Sequence, residues 1–168
     1  MVELGIVGAK NSGKTTLIEE LVARFCKLGL VVGTVKHSSH NHTFDTEGKD
    51  SYRHRLAGAQ MTLAMSESDA ALFFPPDTEQ IDQVRQLINR SCDICLIEGD
   101  RATERARIVL TRGDKEHAYE LRSGGIASYG PTPLDSGLPH FDLDDIAGLT
   151  AFIMEHFSLS ASEVPSEH

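Results

Sequence analysis

The residues with the most explicit chemistry lie near the amino terminus. Between the apolar run Leu4-Gly5-Ile6-Val7 and an amphipathic run that begins at Thr15, the chain reads Gly8-Ala9-Lys10-Asn11-Ser12-Gly13-Lys14-Thr15-Thr16, a GxxxxGK[ST] pattern. Gly8 and Gly13 can take backbone angles forbidden to residues with side chains, so the N–H groups around Asn11, Ser12 and Gly13 can wrap phosphate oxygens. Lys14 supplies a cation for the terminal phosphates, and the Thr15 hydroxyl is a ligand for Mg²⁺. A helix starting here aims its positive dipole end at the same anion. A nucleotide–Mg²⁺ site is therefore expected. In such sites an acid ending a neighbouring strand also holds the cation, often through water. Glu98, at the end of the apolar run Cys92 to Ile97, is the leading candidate, followed by Asp100.

Two other clusters invite chemical readings. Lys36-His37-Ser38-Ser39-His40-Asn41-His42 places three imidazoles within six residues, and neutral imidazoles bind Zn²⁺, Ni²⁺ or Cu²⁺. A structural zinc needs a fourth ligand and the cysteines are distant in sequence, so hydrogen-bonding loop histidines are the favoured reading. Thr111-Arg112-Gly113-Asp114 approximates the guanine-reading [NT]KxD pattern with arginine in place of lysine. The Asp114 carboxylate can accept from guanine N1–H and N2–H, a pairing adenine cannot satisfy. The competing reading is a plain turn containing Gly-Asp.

These residues need a frame to hold them. Leu4 to Val7 reads as a strand. Leu17, Ile18, Leu21, Val22 and Phe25 then share one face of a helix over 15–28, which Gly29 closes as a C′ glycine. Leu30 to Val35 reads as the next strand, completing a βαβ unit. The polar stretch Lys36 to Asp50 is too long for an idle connector. A short helix from Asp50 or Ser51 through Ala57 follows, then strands at Met61 to Met65 and Ala70 to Phe74, a break at Pro75-Pro76, and a helix bearing Ile81, Val84, Leu87 and Ile88. After the strand at Cys92 to Ile97, short strands are expected at Arg107 to Leu110, Ala118 to Leu121 and Gly125 to Ser128. A closing helix over 146–157 is introduced by Asp144-Asp145. The alternation predicts an α/β fold of the P-loop NTPase type: a mostly parallel sheet flanked by helices, with additional short strands in the C-terminal half. Residues 1–157 are expected to form a single nucleotide-binding domain, and 158–168 a disordered tail.

Composition narrows the function classes. Lys plus Arg total 16 against Asp plus Glu 25, and the formal charge of -9 disfavours general nucleic-acid binding. No run approaches the roughly 20 apolar residues of a membrane span, so a cytoplasmic protein without a membrane partner is expected. The three cysteines, Cys26, Cys92 and Cys95, are an odd number and read as buried small hydrophobes.

Longer motifs carry a resemblance. Gly8 to Thr16, Thr34-Val35-Lys36-His37-Ser38-Ser39-His40, the segment Asp45-Thr46-Glu47-Gly48-Lys49-Asp50-Ser51-Tyr52-Arg53-His54-Arg55-Leu56-Ala57-Gly58-Ala59, and Leu96-Ile97-Glu98-Gly99 together resemble the molybdopterin-guanine dinucleotide biosynthesis adaptor (MobB) family over nearly the full length. The GKDS…R…AGA segment is the distinctive part. The resemblance implies a GTP-binding, Mg²⁺-dependent homodimer that assists the molybdopterin guanylyltransferase and other molybdenum-cofactor enzymes, with at most slow GTPase activity. It also implies that Lys36, His37, Asp45, Lys49, Asp50, Ser51 and Arg53 line the site near the γ-phosphate or the bound partner. Lys and Arg would neutralise phosphate oxygens there, and the aspartates would order Mg²⁺ and its waters. The candidates for slow hydrolysis are thus Lys14, Glu98 and Asp50, and those for the metal are Thr15, Glu98 and Asp45. Family members commonly follow Glu-Gly with an aromatic residue and lysine. Here Asp100-Arg101 follow, leaving Arg101, Arg105 and Arg107 as a candidate anion-attracting edge, while the short strands after Asp100 can supply a dimer edge. Two other functions use the same phosphate loop: a small-molecule kinase closing an arginine lid from Arg53 and Arg55, and a GTPase metallochaperone using His37, His40 and His42.

Overall fold

The computed structural model describes residues 1–38, 43–76, 79–99, 105–111, 124–134 and 136–161. They form two compact units, one of Met1–His37 with the described residues from Ile88 onward, the other of Ser38–Leu87.

The first unit is built on a six-stranded sheet. Its strands are β1 (Val2–Val7), β2 (Val32–Lys36), β5 (Ile94–Glu98), β6 (Arg107–Leu110), β7 (Gly125–Tyr129) and β8 (His140–Phe141), arranged β2-β5-β1-β6-β7-β8. All of these pairings are parallel. Parallel strands covered on both faces read as continuous apolar runs rather than alternating ones. Accordingly Ile94 to Ile97 and Arg107 to Leu110 are buried at every position. Leu4, Ile6, Leu96, Ile108 and Leu110 face α1 (Lys14–Lys27) and α4 (Ile146–His156), whereas Val7 and Val109 face the opposite side with Leu134 and Leu138. The last turn of α3 (Glu79–Ser91) approaches β2 closely, for a Cβ on Gly33 would meet Ile88 Cγ2 at 2.8 Å and Cys92 Sγ at 2.9 Å.

The helix signals in the sequence have direct counterparts. Leu17, Leu21 and Phe25, spaced by four, are the fully buried stripe of α1, each worth about 1.5–3 kcal/mol relative to exposure. The helix ends in a Schellman motif. Gly29 takes a φ of 78°, its N–H donates to Cys26 O at 3.0 Å, and the Leu30 N–H reaches Phe25 O at 3.0 Å. Leu30 therefore belongs to this cap rather than to β2, which begins at Val32. Asp145 caps α4 by accepting from the Gly148 N–H at 2.9 Å. Tyr129, at the end of β7, donates its hydroxyl to Leu143 O at 2.8 Å, and burial followed by the Glu20 charge raises its pKa.

The second unit contains α2 (Asp50–Leu56), an antiparallel hairpin of β3 (Thr62–Met65) and β4 (Ala70–Phe73), and the start of α3. The hairpin is where the alternation placed it, each strand beginning or ending one residue inside the expected range.

Several expectations need correction. Cys26 is exposed, because it follows Phe25 on the outward side of α1; only Cys95 is buried, and Cys92 is intermediate. The arginine edge does not form at the ligand end of the sheet. Arg107 opens β6 at the amino end with 1% exposure, and Arg105 pairs with Glu3 at 2.9 Å. Among the described residues β6 and β7 are interior strands, and β2 and the unanticipated β8 lie at the sheet edges. The strand expected at Ala118 to Leu121, and Arg101, lie outside the described residues. Among the described residues no helix is long and apolar enough to cross a membrane.

Candidate nucleotide-phosphate site

At the carboxyl end of β1 the chain leaves the sheet through Gly8. A Cβ there would lie 2.9 Å from Ser12 Oγ and 3.0 Å from Leu110 Cβ, so the turn against β6 has room only for glycine. Asn11 follows in the left-handed region at φ 61°, and Gly13 sits at φ 96° as the N-cap of α1. Gly13 has no side chain with which to cap that helix start, and the first N–H groups of the helix are the donors an anion would use. The Lys14 ammonium folds back over the loop, donating to Gly8 O at 3.1 Å and Ala9 O at 2.6 Å. The Ser12 hydroxyl is buried and meets no hydrogen-bond partner among the described residues. A buried hydroxyl without a partner is costly, and phosphate oxygens are the acceptors the surrounding donors suit.

Glu98 connects this loop to β2. The parallel register sets Lys36 beside Glu98 on one side and Ile6 beside it on the other. Glu98 Oε1 accepts from the Thr15 hydroxyl at 3.3 Å, and Oε2 pairs with the Lys36 ammonium at 3.4 Å. The carboxylate side chain is 15% exposed and the lysine 59%, so the acid is fixed while its partner reaches into solvent. The turn after it is equally constrained. His37 N–H donates to Glu98 O at 2.9 Å, Gly99 N–H donates to Ile6 O at 3.2 Å, and a Cβ on Gly99 would lie 2.8 Å from His37 O. Lys10, Asn11, Ser12, Gly13, Lys14, Thr15, Thr16, Lys36 and Glu98 line an open cleft of about 510 Å³. Carboxylate and hydroxyl oxygens facing an ammonium-lined phosphate loop suit Mg²⁺, a hard cation that takes oxygen ligands and shares them with phosphates.

The remaining expected residues fall in the second unit. Asp45, whose side chain is 3% exposed, accepts from Ser51 Oγ at 2.8 Å and from the Arg55 guanidinium at 3.0 Å. That guanidinium also lies 5.4 Å from the centre of the Phe73 ring. Asp45 and Ser51 are thus brought together directly, and Arg55, whose role spacing alone did not disclose, holds the other carboxylate oxygen. Asp50 and Arg53 form an exposed pair at 3.7 Å across one helical turn, and Lys49 is the exposed N-cap of α2. His37 is exposed beside Lys36. His40, His42, Asp100 and Asp114 lie outside the described residues.

Comparison with known proteins bears on this geometry. A family model described as molybdopterin guanine dinucleotide synthesis protein B matches residues 3–127. The molybdopterin-guanine dinucleotide biosynthesis adapter protein of Escherichia coli K12 is 33% identical over 159 residues, which span 90% of this chain and 91% of that protein. The crystal structure of Bacillus subtilis MobB superposes with a TM-score of 0.73 at 28% identity, covering 92% of this chain and 97% of the other. A crystal structure of molybdopterin-guanine biosynthesis protein B gives 0.75 at 25% identity, covering 92% and 99%. The fold is that of the P-loop NTPases.

Proposed function

This chain belongs to the molybdopterin guanine dinucleotide synthesis protein B family, and we propose that it serves as a GTP-responsive adapter for the enzyme that joins GMP to molybdopterin. The observation that carries the proposal is the Glu98 bridge, from Thr15 of the phosphate loop to Lys36 at the end of β2. Lys36 is followed by His37, the last residue before the second unit begins at Ser38. A group that senses the terminal phosphate is thereby covalently close to the segment that carries the family's distinctive motif.

In this reading the loop amides and Lys14 bind the triphosphate, and Thr15 with Glu98 holds Mg²⁺, which neutralises charge on the terminal phosphates when bound. Lys36, released from part of its pairing with Glu98, donates to a γ-phosphate oxygen. Asp45, Lys49, Asp50, Ser51 and Arg53 then respond as a set, with the pair of buried Asp45 and half-exposed Arg55 keeping α2 in register with its preceding loop. Hydrolysis is slow and resets the state, as in switches ordered by a terminal phosphate. The working unit is a homodimer in the cytoplasm.

The test is co-purification of the intact chain from cell extract with GTP, with GDP and without nucleotide. Recovery of a molybdopterin guanylyltransferase with GTP alone is the expected result. Recovery that ignores nucleotide, or a nickel enzyme in its place, would overturn the proposal.

A further inference from the structure

Three lysines, Lys10, Lys14 and Lys36, line the phosphate cleft. Two of their ammonium groups already have oxygen partners: Lys14 lies on Gly8 O and Ala9 O, and Lys36 pairs with Glu98. The third lysine, Lys10, is exposed, and among the described residues its ammonium makes no ion pair or hydrogen bond. It sits at a variable position of the GxxxxGK[ST] pattern, so the motif by itself gives it no task.

The backbone that presents Lys10 is braced. Ser12 N–H donates to Ala9 O at 3.3 Å, closing a turn over 9–12 in which Lys10 holds the second position and Asn11 the third, at φ 61°. Asparagine is one of the few residues with a side chain that visit this left-handed region readily. The Ala9 carbonyl that closes the turn also receives the Lys14 ammonium at 2.6 Å, and Gly8 at its foot is wedged against Leu110. In loops of this kind the lysine equivalent to Lys14 takes the β and γ oxygens. Its ammonium here lies against residues 8 and 9, and Lys10 follows by one residue on a four-carbon stem. The outer end of a phosphate chain held by Lys14 therefore lies on the side of the loop that carries Lys10.

We propose that the Lys10 ammonium donates to the terminal phosphate of a bound triphosphate and is the residue by which the loop prefers triphosphate to diphosphate. A diphosphate ends one phosphate short of it. The inference rests on the phosphate-site reading above. It assigns the first contact with the terminal phosphate to a group that breaks no ion pair to make it, whereas Lys36 must give up part of its pairing with Glu98. Lys10 is exposed and water screens it, so the contact falls toward the lower end of what a hydrogen bond to a charged group contributes.

The experiment is calorimetric titration of the full chain in Mg²⁺ with GTP, GDP and inorganic tripolyphosphate. Lys10→Gln, which keeps a long polar side chain and removes the charge, should weaken GTP and tripolyphosphate by about five- to twentyfold and GDP by less than about twofold. Lys10→Arg, which keeps a cation, should hold GTP within about threefold of the unmodified chain. Unchanged GTP affinity in Lys10→Gln would make Lys10 a solvated surface charge and overturn the inference. An equal loss for GTP and GDP would do the same, since it reports the general field of the loop and not a contact with the terminal phosphate. A loss in Lys10→Arg as large as that in Lys10→Gln would trace the effect to the turn and also overturn it. In all three cases tripolyphosphate still binds the unmodified chain and the phosphate site stands. Failure of the unmodified chain to bind tripolyphosphate overturns the phosphate site, and the inference with it.

Discussion

Replacing Glu98 by glutamine should separate the cation from the phosphates at this site, and the size and sign of the effect can be worked out. The side chain keeps its shape but loses its charge, so the contact to the Thr15 hydroxyl at 3.3 Å can persist while the ion pair with Lys36 at 3.4 Å is lost. Lys36 is 59% exposed, so that pair is worth only about 0.2–1 kcal/mol and folding should barely notice. With about 2–4 °C expected per kcal/mol for a chain of this length, thermal unfolding should shift by about 4 °C at most. The effect on Mg²⁺-dependent binding is larger, because interactions with a charged group contribute about 1.5–3 kcal/mol. GTP affinity in Mg²⁺ should therefore fall by about 10- to 150-fold. In EDTA the sign should reverse: the carboxylate then only repels the triphosphate, and its loss should leave affinity unchanged or improve it. Titration calorimetry of both chains in both buffers gives all four affinities. An equal loss with and without Mg²⁺ would refute the assignment of Glu98 to the cation.

Two further substitutions probe the rest. Lys14→Ala removes the ammonium that lies on Gly8 O and Ala9 O and should abolish binding of GTP and tripolyphosphate, while circular dichroism and the unfolding midpoint stay near those of the unmodified chain; unchanged affinity would sink the phosphate-loop assignment. Asp45→Ala strands the Ser51 hydroxyl and the Arg55 guanidinium, but Arg55 is 36% exposed and can recover water, so the cost should be about 1–3 kcal/mol rather than that of a sealed pair. Denaturant unfolding measures it, and a loss below about 0.5 kcal/mol would show that the pair contributes no more than an ordinary surface contact.

Legibility in the sequence followed locality. The phosphate loop and α1 were readable because their determinants lie within about twenty residues: two glycines with required angles, a helical apolar stripe, and a glycine stop. The hairpin of β3 and β4 was readable for the same reason. The link between Lys36 and Glu98 was not, since it depends on β5 lying between β1 and β2, an order that a linear pattern does not encode. β8 has two residues, too few for any periodicity. Arg107 looked like surface charge because residue type outweighed position, yet it opens a strand with sheet on both sides. Arg55 stood in plain view within the distinctive motif. Its partner was hidden because Asp45 is ten residues away across a helix start rather than at helical spacing.

The crossed hydrogen bonds behind Glu98 have a further consequence. His37 N–H holds the Glu98 carbonyl and Gly99 N–H holds the Ile6 carbonyl, so three neighbouring strands are laced together within a few residues of the acid. The second unit enters the chain one residue beyond that lacing. Thermodynamic reciprocity then requires traffic in both directions: a partner that grips the inserted unit more strongly in the GTP state must, by the same factor, slow the escape of GTP or hasten its capture. An adapter that works as proposed would lose GTP slowly while docked and quickly when free, so that release would seldom end an engagement and the slow hydrolytic step would do so.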